Sequence, residues 1–168
     1  MRRLIAFIIV LAVAVEAPFA FATDSKGAAY CGGTITTFNG AKDLVEGTLD
    51  TTNERALIFS ATDKAFRGKT FSIPYDRVID LEYGQKTGRR IGTAVATTVL
   101  FGPIGLVSLL SKKRKHFLTV GFKDDAGKDQ VAVIEMGKDI VRVTLPIVET
   151  RSGKKVEYQD EEARNSAK

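Results

Sequence analysis

An uncharged apolar run in the second half of the chain, residues 91–110, constrains the fold more than any other feature. It reads IGTAVATTVLFGPIGLVSLL and contains no Asp, Glu, Lys or Arg. Six basic residues bracket it on both sides: Arg89, Arg90, Lys112, Lys113, Arg114 and Lys115. An apolar segment between two cationic collars is typical of a membrane-contacting element, because the apolar side chains leave water while the cations meet anionic headgroups.

Four arrangements of this apolar insert agree with its sequence. As one helix it would be about 30 Å long, enough to cross a hydrocarbon core. A single crossing would put the strands before and after it on opposite sides of a bilayer, where they could not share a sheet. A re-entrant hairpin that turns at residues 102–105 (GPIG) avoids this conflict. The other two arrangements are a helical hairpin packed on the sheet or in an oligomer, and a β-hairpin extension favoured by the β-branched residues at 95–99.

The two collars and the apolar turn supply candidate lipid-contacting residues. Near an anionic surface each Lys or Arg contributes up to about 1 kcal/mol at modest salt, and salt screens this attraction. Inserted apolar side chains would add the remaining binding energy. We expect four residues to insert: Leu100, Phe101, Ile104 and Leu106. The alternative is a solvated cationic loop whose only role is to keep an apolar element in solution.

The N-terminal residues 1–22 have the order of a secretory signal peptide. Arg2 and Arg3 form a short basic region, an apolar stretch follows over residues 4–15, and Ala20-Phe21-Ala22 offers a cleavage site. The alternative is an uncleaved anchor, but Glu16 and Pro18 interrupt a segment that is already short for a spanning helix. We therefore expect an exported protein, periplasmic or extracellular, that begins near Thr23 and associates with a membrane.

Outside the insert, hydrophobic patterning predicts about six strands and one helix. The strands cover residues 44–50, 55–61, 69–73, 77–83, 116–122 and 130–135. Apolar residues at helical spacing predict a helix over residues 138–152, with Asp139 as N-cap and Gly153 just past its end. Pro146 should kink this helix, or the helix should begin near Thr144. We expect Leu81 and Phe117, on the strands that flank the insert, to share one core.

Two predicted hairpins, a third strand pair and a final helix resemble the pleckstrin-homology-like superfold, including its GRAM-like relatives. Several patches also resemble a family of small exported bacterial proteins of uncharacterised function: YCGGTI at 30–35, IPYDRVIDLEYGQ at 73–85, GRR at 88–90, SKKRKHFLTV at 111–120 and GKDIVR at 137–142. The resemblance covers most of the chain after the signal peptide. It implies a fold and no activity.

The fold implied by this resemblance is mostly β, of the α+β class. It is a small curled sheet or barrel of about six strands, closed by a C-terminal helix and carrying an apolar hairpin insert. We expect a single domain over residues 23–158 and a frayed polar tail over residues 159–168. Pleckstrin-homology domains commonly bind phosphoinositides through basic residues in an early loop, but the matching loop here, residues 51–55, has one basic residue, Arg55. Phosphoinositide binding is therefore not implied.

No set of residues predicts catalysis. His116 is the only histidine, and a general base or metal ligand needs companions that its sequence neighbours do not provide. Asp124, Asp125 and Asp129 lack the register of a calcium loop and are typical of a turn. The formal charge of +5 is mild, and an exported protein does not favour nucleic acid as a partner. We expect no enzyme activity, no cofactor and no metal.

The sequence thus predicts a non-enzymatic module whose apolar hairpin and basic collars contact an anionic membrane surface. The alternative is a protein-interaction or assembly module, in which the insert packs on the domain, on a partner protein or within a homo-oligomer.

Overall fold

The computed structural model describes residues 24–85 and 116–167. Within these ranges the chain forms one sheet of eight strands and two α-helices. The strands are β1 (Asp24–Gly33), β2 (Val45–Asp50), β3 (Ala56–Ala61), β4 (Thr70–Pro74), β5 (Val78–Gly84), β6 (His116–Lys123), β7 (Asp129–Met136) and β8 (Val156–Tyr158). The helices are α1 (Lys138–Ser152) and α2 (Glu161–Ser166).

The sheet has the order β4-β3-β2-β1-β7-β6-β5-β8. Every pairing is antiparallel except that of β5 with β8, which is parallel. The strands that flank the insert, β5 and β6, are therefore direct neighbours. The first of the described strands, β1, lies in the middle of the sheet, where it joins the β2–β4 meander to the β7–β5 meander.

The mostly-β class is confirmed, but the finer description was wrong. The described residues form an open sheet of eight strands and not a barrel of six. Helix α1 is followed by β8 and α2, so it is not a C-terminal helix that closes a barrel. The six predicted strands are all present within one or two residues of their expected ends. The two unexpected strands are β1 and β8. Strand β1 has no clear alternation because Gly27, Gly32 and Gly33 interrupt it with positive φ angles, and two β-bulges shift its register.

Helix α1 covers one face of the sheet and joins its main core. Its buried stripe contains Ile140, Val141, Thr144, Leu145, Ile147 and Val148. The helix runs through Pro146, whose ring is exposed, so the predicted later start near Thr144 was wrong. Gly137 is the N-cap instead of Asp139, which lies in the first turn, where its charge favours the helix dipole. Gly153 has the left-handed conformation expected after the last turn.

The two faces of the sheet bury different side chains. Leu81 lies in the main core and pairs in register with Val120. Phe117 belongs to a separate cluster, the outer cluster, which also contains Cys31, Val131 and Val133, with Leu44 packed against it. Successive strand residues point to opposite faces, so Phe117 faces away from its neighbour Leu118, which is in the main core. The expectation that Leu81 and Phe117 share one core was therefore wrong.

The C-terminal residues form an ordered helix in place of the frayed tail expected from the sequence. The Asp160 carboxylate accepts a hydrogen bond from the backbone N–H of Ala163 at 2.8 Å, which caps α2. Ala163 is fully buried in the main core. This packing holds Ser166, one turn further on, close to the end of β5.

Candidate functional site

The residues predicted to contact lipid lie outside the described part of the chain. They are the collar residues Arg89, Arg90, Lys112, Lys113, Arg114 and Lys115 and the apolar residues Leu100, Phe101, Ile104 and Leu106. The predicted signal peptide, residues 1–22, lies outside it as well. The structure does describe the place where the insert leaves and re-enters the sheet. We call this place the insert root, and it consists of Tyr83, Gly84, His116 and Phe117.

The insert root is fixed by backbone pairing on both sides of β5. Gly84 lies opposite Phe117 in the antiparallel pair of β5 with β6. On the other side, the N–H of Gln159 donates to the carbonyl of Tyr83 at 3.0 Å, just beyond the end of β8. A Cβ atom on Gly84 would come within 1.8 Å of the Gln159 side chain, so glycine permits this close approach. The described residues that flank the insert, Gly84 and His116, therefore lie on adjacent strands.

Two buried side chains, Tyr83 and His116, and the half-buried Ser166 connect the insert root to α2. The Tyr83 hydroxyl forms a short hydrogen bond with Nδ1 of His116 and lies 3.2 Å from Oγ of Ser166. The rings of Tyr83 and His116 are nearly parallel, with centroids 6.0 Å apart. Tyr158 packs edge-on against Tyr83 at 5.9 Å. The root thus ties β5, β6, β8 and α2 together.

Each hydroxyl group has one hydrogen and can donate it to one partner, which limits the possible directions of these hydrogen bonds. Ser166 donates its hydrogen to the carbonyl of Ala163 at 2.8 Å, so towards Tyr83 it can only accept. If Tyr83 donates to Ser166, it accepts from His116. In that arrangement the hydrogen of His116 is on Nδ1, and the chain of donors ends on a backbone carbonyl.

The surroundings of the root favour neutral side chains. Burial lowers the pKa of His116, and the nearby charge of Lys138 lowers it further, while Glu135 opposes both effects. Burial also raises the pKa of Tyr83. Both groups are therefore neutral at neutral pH, and each can act as a hydrogen-bond partner without the cost of burying a charge.

The side-chain contacts at the insert root join β5, β6 and α2 to one another. The Ser166 hydroxyl is committed to a carbonyl, and Tyr83 stands between it and the imidazole, so the serine has no adjacent base. The described residues include no group of three or more His, Cys, Asp or Glu side chains that could hold a metal. Sequence reasoning assigned His116 to a strand end and missed this connection. Nothing in the sequence signals Ser166 as the partner of a residue on β5.

Comparison with known proteins does not assign the chain to a family. No protein-family model matches the chain, and no curated protein matches it either. The resemblance to the pleckstrin-homology-like superfold therefore stays a prediction. Over residues 24–85 and 116–167, no helix combines the length and the apolar character that a membrane crossing requires.

Proposed function

We propose that this protein is a non-enzymatic, exported module that attaches to an anionic membrane surface through its apolar insert and basic collars. The observation that carries the proposal is the antiparallel pairing of β5 with β6, in which Gly84 faces Phe117. The insert leaves the sheet and returns to it at neighbouring strands. A single crossing would separate these strands by a bilayer, whereas a re-entrant hairpin leaves them together.

The root supports this proposal because β5 is paired on both of its edges. An anchoring loop transmits its binding energy to the domain only if its ends are held firmly. Backbone pairing on both sides of β5 and the Tyr83–His116 hydrogen bond provide that support. The collars begin within a few residues of the root, so the cations would lie near the headgroups when the apolar turn enters the bilayer.

A second candidate function, an assembly module, is favoured by the outer cluster. Cys31, Phe117, Val131 and Val133 form a buried apolar cluster on the sheet face opposite the main core, and Phe117 is the second residue after the collar. An apolar insert that ends close to this cluster in sequence could pack on the domain or on a partner subunit. The two functions differ in whether lipid is needed.

Liposome binding separates the two functions. Replacement of Lys112, Lys113, Arg114 and Lys115 by Gln should weaken binding to vesicles that contain anionic lipid and should reduce its salt dependence. The fold should remain intact because solvated charges contribute little to stability. The matched control replaces four exposed cations elsewhere, Lys42, Lys64, Arg67 and Lys154, by Gln and makes the same change in net charge. If the control weakens binding equally, the collar has no specific role.

The apolar part of the insert is tested by a second variant. Replacement of Phe101 and Ile104 by Ser should weaken vesicle binding at every salt concentration, because inserted apolar surface is lost. The free energy of unfolding should stay nearly unchanged. If this pair of substitutions unfolds the domain, and the wild type binds no vesicles and forms lipid-free oligomers, the assembly function replaces the membrane function.

Export is tested by N-terminal sequencing of protein recovered from its native compartment. The mature chain should begin near Thr23. A chain that retains Met1, or protein confined to the cytosol, would contradict the proposed localisation.

A further inference from the structure

A charged cleft of about 400 Å³ lies at the other end of β5, where the chain passes from β4 into that strand. Its lining includes Glu54, Arg55, Tyr75, Asp76, Arg77 and Arg151. These residues come from the β2–β3 loop, the 3₁₀ turn at Tyr75–Arg77 and the last turn of α1. Three elements distant in sequence thus place three guanidinium groups around one buried tyrosine.

Arg151 is held in position by contacts with two neighbouring elements. Its Nη1 atom donates to the backbone carbonyls of Thr51 and Asn53, the latter at 3.0 Å. Its Cζ atom lies 5.6 Å from the centroid of the Tyr75 ring, within the range of a cation–π contact. A guanidinium has five N–H donors, so these contacts leave others available.

Tyr75 contributes a buried hydroxyl that interacts with the Arg151 guanidinium but has no acceptor for its own hydrogen among the described residues. The residue is 2% exposed, and its hydroxyl makes no hydrogen bond of standard geometry with any residue in the described ranges. Burial raises the pKa of Tyr75, and the Arg151 guanidinium opposes that rise. The hydroxyl is therefore protonated at neutral pH. A buried donor without an acceptor is costly, so it favours a ligand that supplies one.

Arg55 and Arg77 complete the cationic lining. Within the described part of the chain, the exposed Arg55 side chain makes no hydrogen bond or ion pair. Arg77 forms an exposed ion pair with Asp125. Glu54 and Asp76 also line the cleft, so three guanidinium groups face two carboxylates, and this weakly positive lining favours a ligand with few negative charges.

We propose that this cleft binds a single oxyanion group of the phosphate type, held by Arg55 and Arg151 and accepting a hydrogen bond from the Tyr75 hydroxyl. Planar guanidinium groups match the oxygen geometry of phosphate through paired N–H donors. For the hydroxyl to reach the anion, the Arg151 guanidinium must shift off the Tyr75 ring, because the hydroxyl is buried beneath it. Nothing in this proposal requires the insert, because β5 is seven residues long and separates the cleft from the insert root by about 20 Å.

The phosphate could be free in solution or part of a lipid headgroup, and two experimental arms distinguish these sources. In the first arm the full chain is titrated with inorganic phosphate, against sodium chloride of the same ionic strength, by calorimetry and by the midpoint of thermal unfolding. Phosphate should raise the midpoint by mass action. Arg55→Gln should weaken phosphate binding about tenfold, because one charge-assisted interaction is lost.

The matched control is Arg142→Gln, which removes the same charge from an exposed position on α1 outside the cleft. It should bind phosphate like the wild type. Tyr75→Phe should also weaken phosphate binding, although the variant without ligand should be as stable as the wild type or more stable. This opposite effect on binding and on stability separates a binding role of the hydroxyl from a structural one.

In the second arm the same variants are tested on vesicles that contain an anionic phospholipid. Loss of vesicle binding by Arg55→Gln, with the phosphate result above, assigns the site to a lipid headgroup. Unchanged vesicle binding assigns it to a soluble anion. The proposal is overturned if phosphate has no more effect than chloride, if Arg142→Gln weakens phosphate binding as much as Arg55→Gln, or if Tyr75→Phe and Arg55→Gln both bind phosphate like the wild type.

Discussion

Two buried tyrosines stand at the two ends of β5, and their hydroxyl groups are in opposite situations. Tyr83, at the insert root, is fully buried and its hydroxyl contacts His116 and Ser166. Tyr75, which precedes β5, is 2% exposed, and its hydroxyl makes no hydrogen bond of standard geometry within the described ranges. Equal burial therefore does not mean an equal role.

One end of β5 is joined to its neighbours by a connected set of hydrogen bonds, whereas the other end has a hydroxyl group without an acceptor. At the insert root, each hydrogen bond joins one element of the fold to the next, and the chain ends on the Ala163 carbonyl. At the cleft, Arg151 is held by backbone carbonyls, but the hydroxyl below it has no acceptor. The same substitution should consequently have different effects at the two ends.

The largest expected effect on stability is that of a substitution in the middle of β5, the strand that connects the cleft to the insert root. Leu81 is 1% exposed in the main core, so Leu81→Ala should lower the free energy of unfolding by about 2–5 kcal/mol. The measurement is urea denaturation. Ile79→Ala on the same strand is the control, and it should cost clearly less because Ile79 is only half-buried. Equal losses would mean that the cost of truncation on β5 does not follow the burial of the side chain.

Tyr83→Phe should have the next largest effect. It leaves Nδ1 of His116 buried without its hydrogen-bond partner, so the free energy of unfolding should fall by about 1–3 kcal/mol. Amide hydrogen exchange over residues 161–166 should become faster, because α2 loses its link to β5. Tyr75→Phe is the matched substitution at the other end and should leave stability unchanged or raise it. If Tyr75→Phe is the more damaging of the two, the contrast between the ends is wrong.

A smaller effect should appear in the pH dependence of stability, and only at the insert root. Burial lowers the pKa of His116 below its usual value of 6.5, so between the two values the unfolded chain binds more protons than the folded chain. The free energy of unfolding should therefore be constant above about pH 6.5 and should fall as the pH falls below it. His116→Asn, which offers a donor but does not titrate, should flatten the profile between pH 5 and pH 7.5. An unchanged profile would exclude His116 as its source.

The smallest effect is expected at the exposed ion pair beside the cleft. Asp125 is 95% exposed and Arg77 is 39% exposed, so water screens their attraction. Asp125→Asn should leave the urea midpoint unchanged within error. It should strengthen phosphate binding slightly, because the Arg77 guanidinium would no longer be paired with the Asp125 carboxylate. A clear loss of stability would show that the pair supports the β4–β5 connection.

Sequence patterning predicted the strands that alternate clearly and the helix with a regular apolar stripe. Strand β1 was missed because bulges and glycines with positive φ replace alternation, and at Gly33 a Cβ atom would come within 2.1 Å of the Val131 carbonyl oxygen. Phe117 was assigned to the wrong face because the register that pairs it with Gly84 is a tertiary property. The cleft was not predicted either, since Arg55, Tyr75 and Arg151 are brought together only by packing. Arg55 alone was noted from the sequence.

The central place of β1 has a consequence for how the chain folds. This strand is the first of the described strands to be synthesised, yet one of its two neighbours, β7, is not complete until Met136. Strand β7 can pair with β1 only after the apolar insert, which precedes β7 in the chain, has been synthesised. Until then the partly folded chain exposes both the apolar insert sequence and an unpaired edge of β1. Non-local pairings of this kind slow folding and favour aggregation. Refolding from urea should therefore be slow for a domain of this size, and its yield should fall as protein concentration rises.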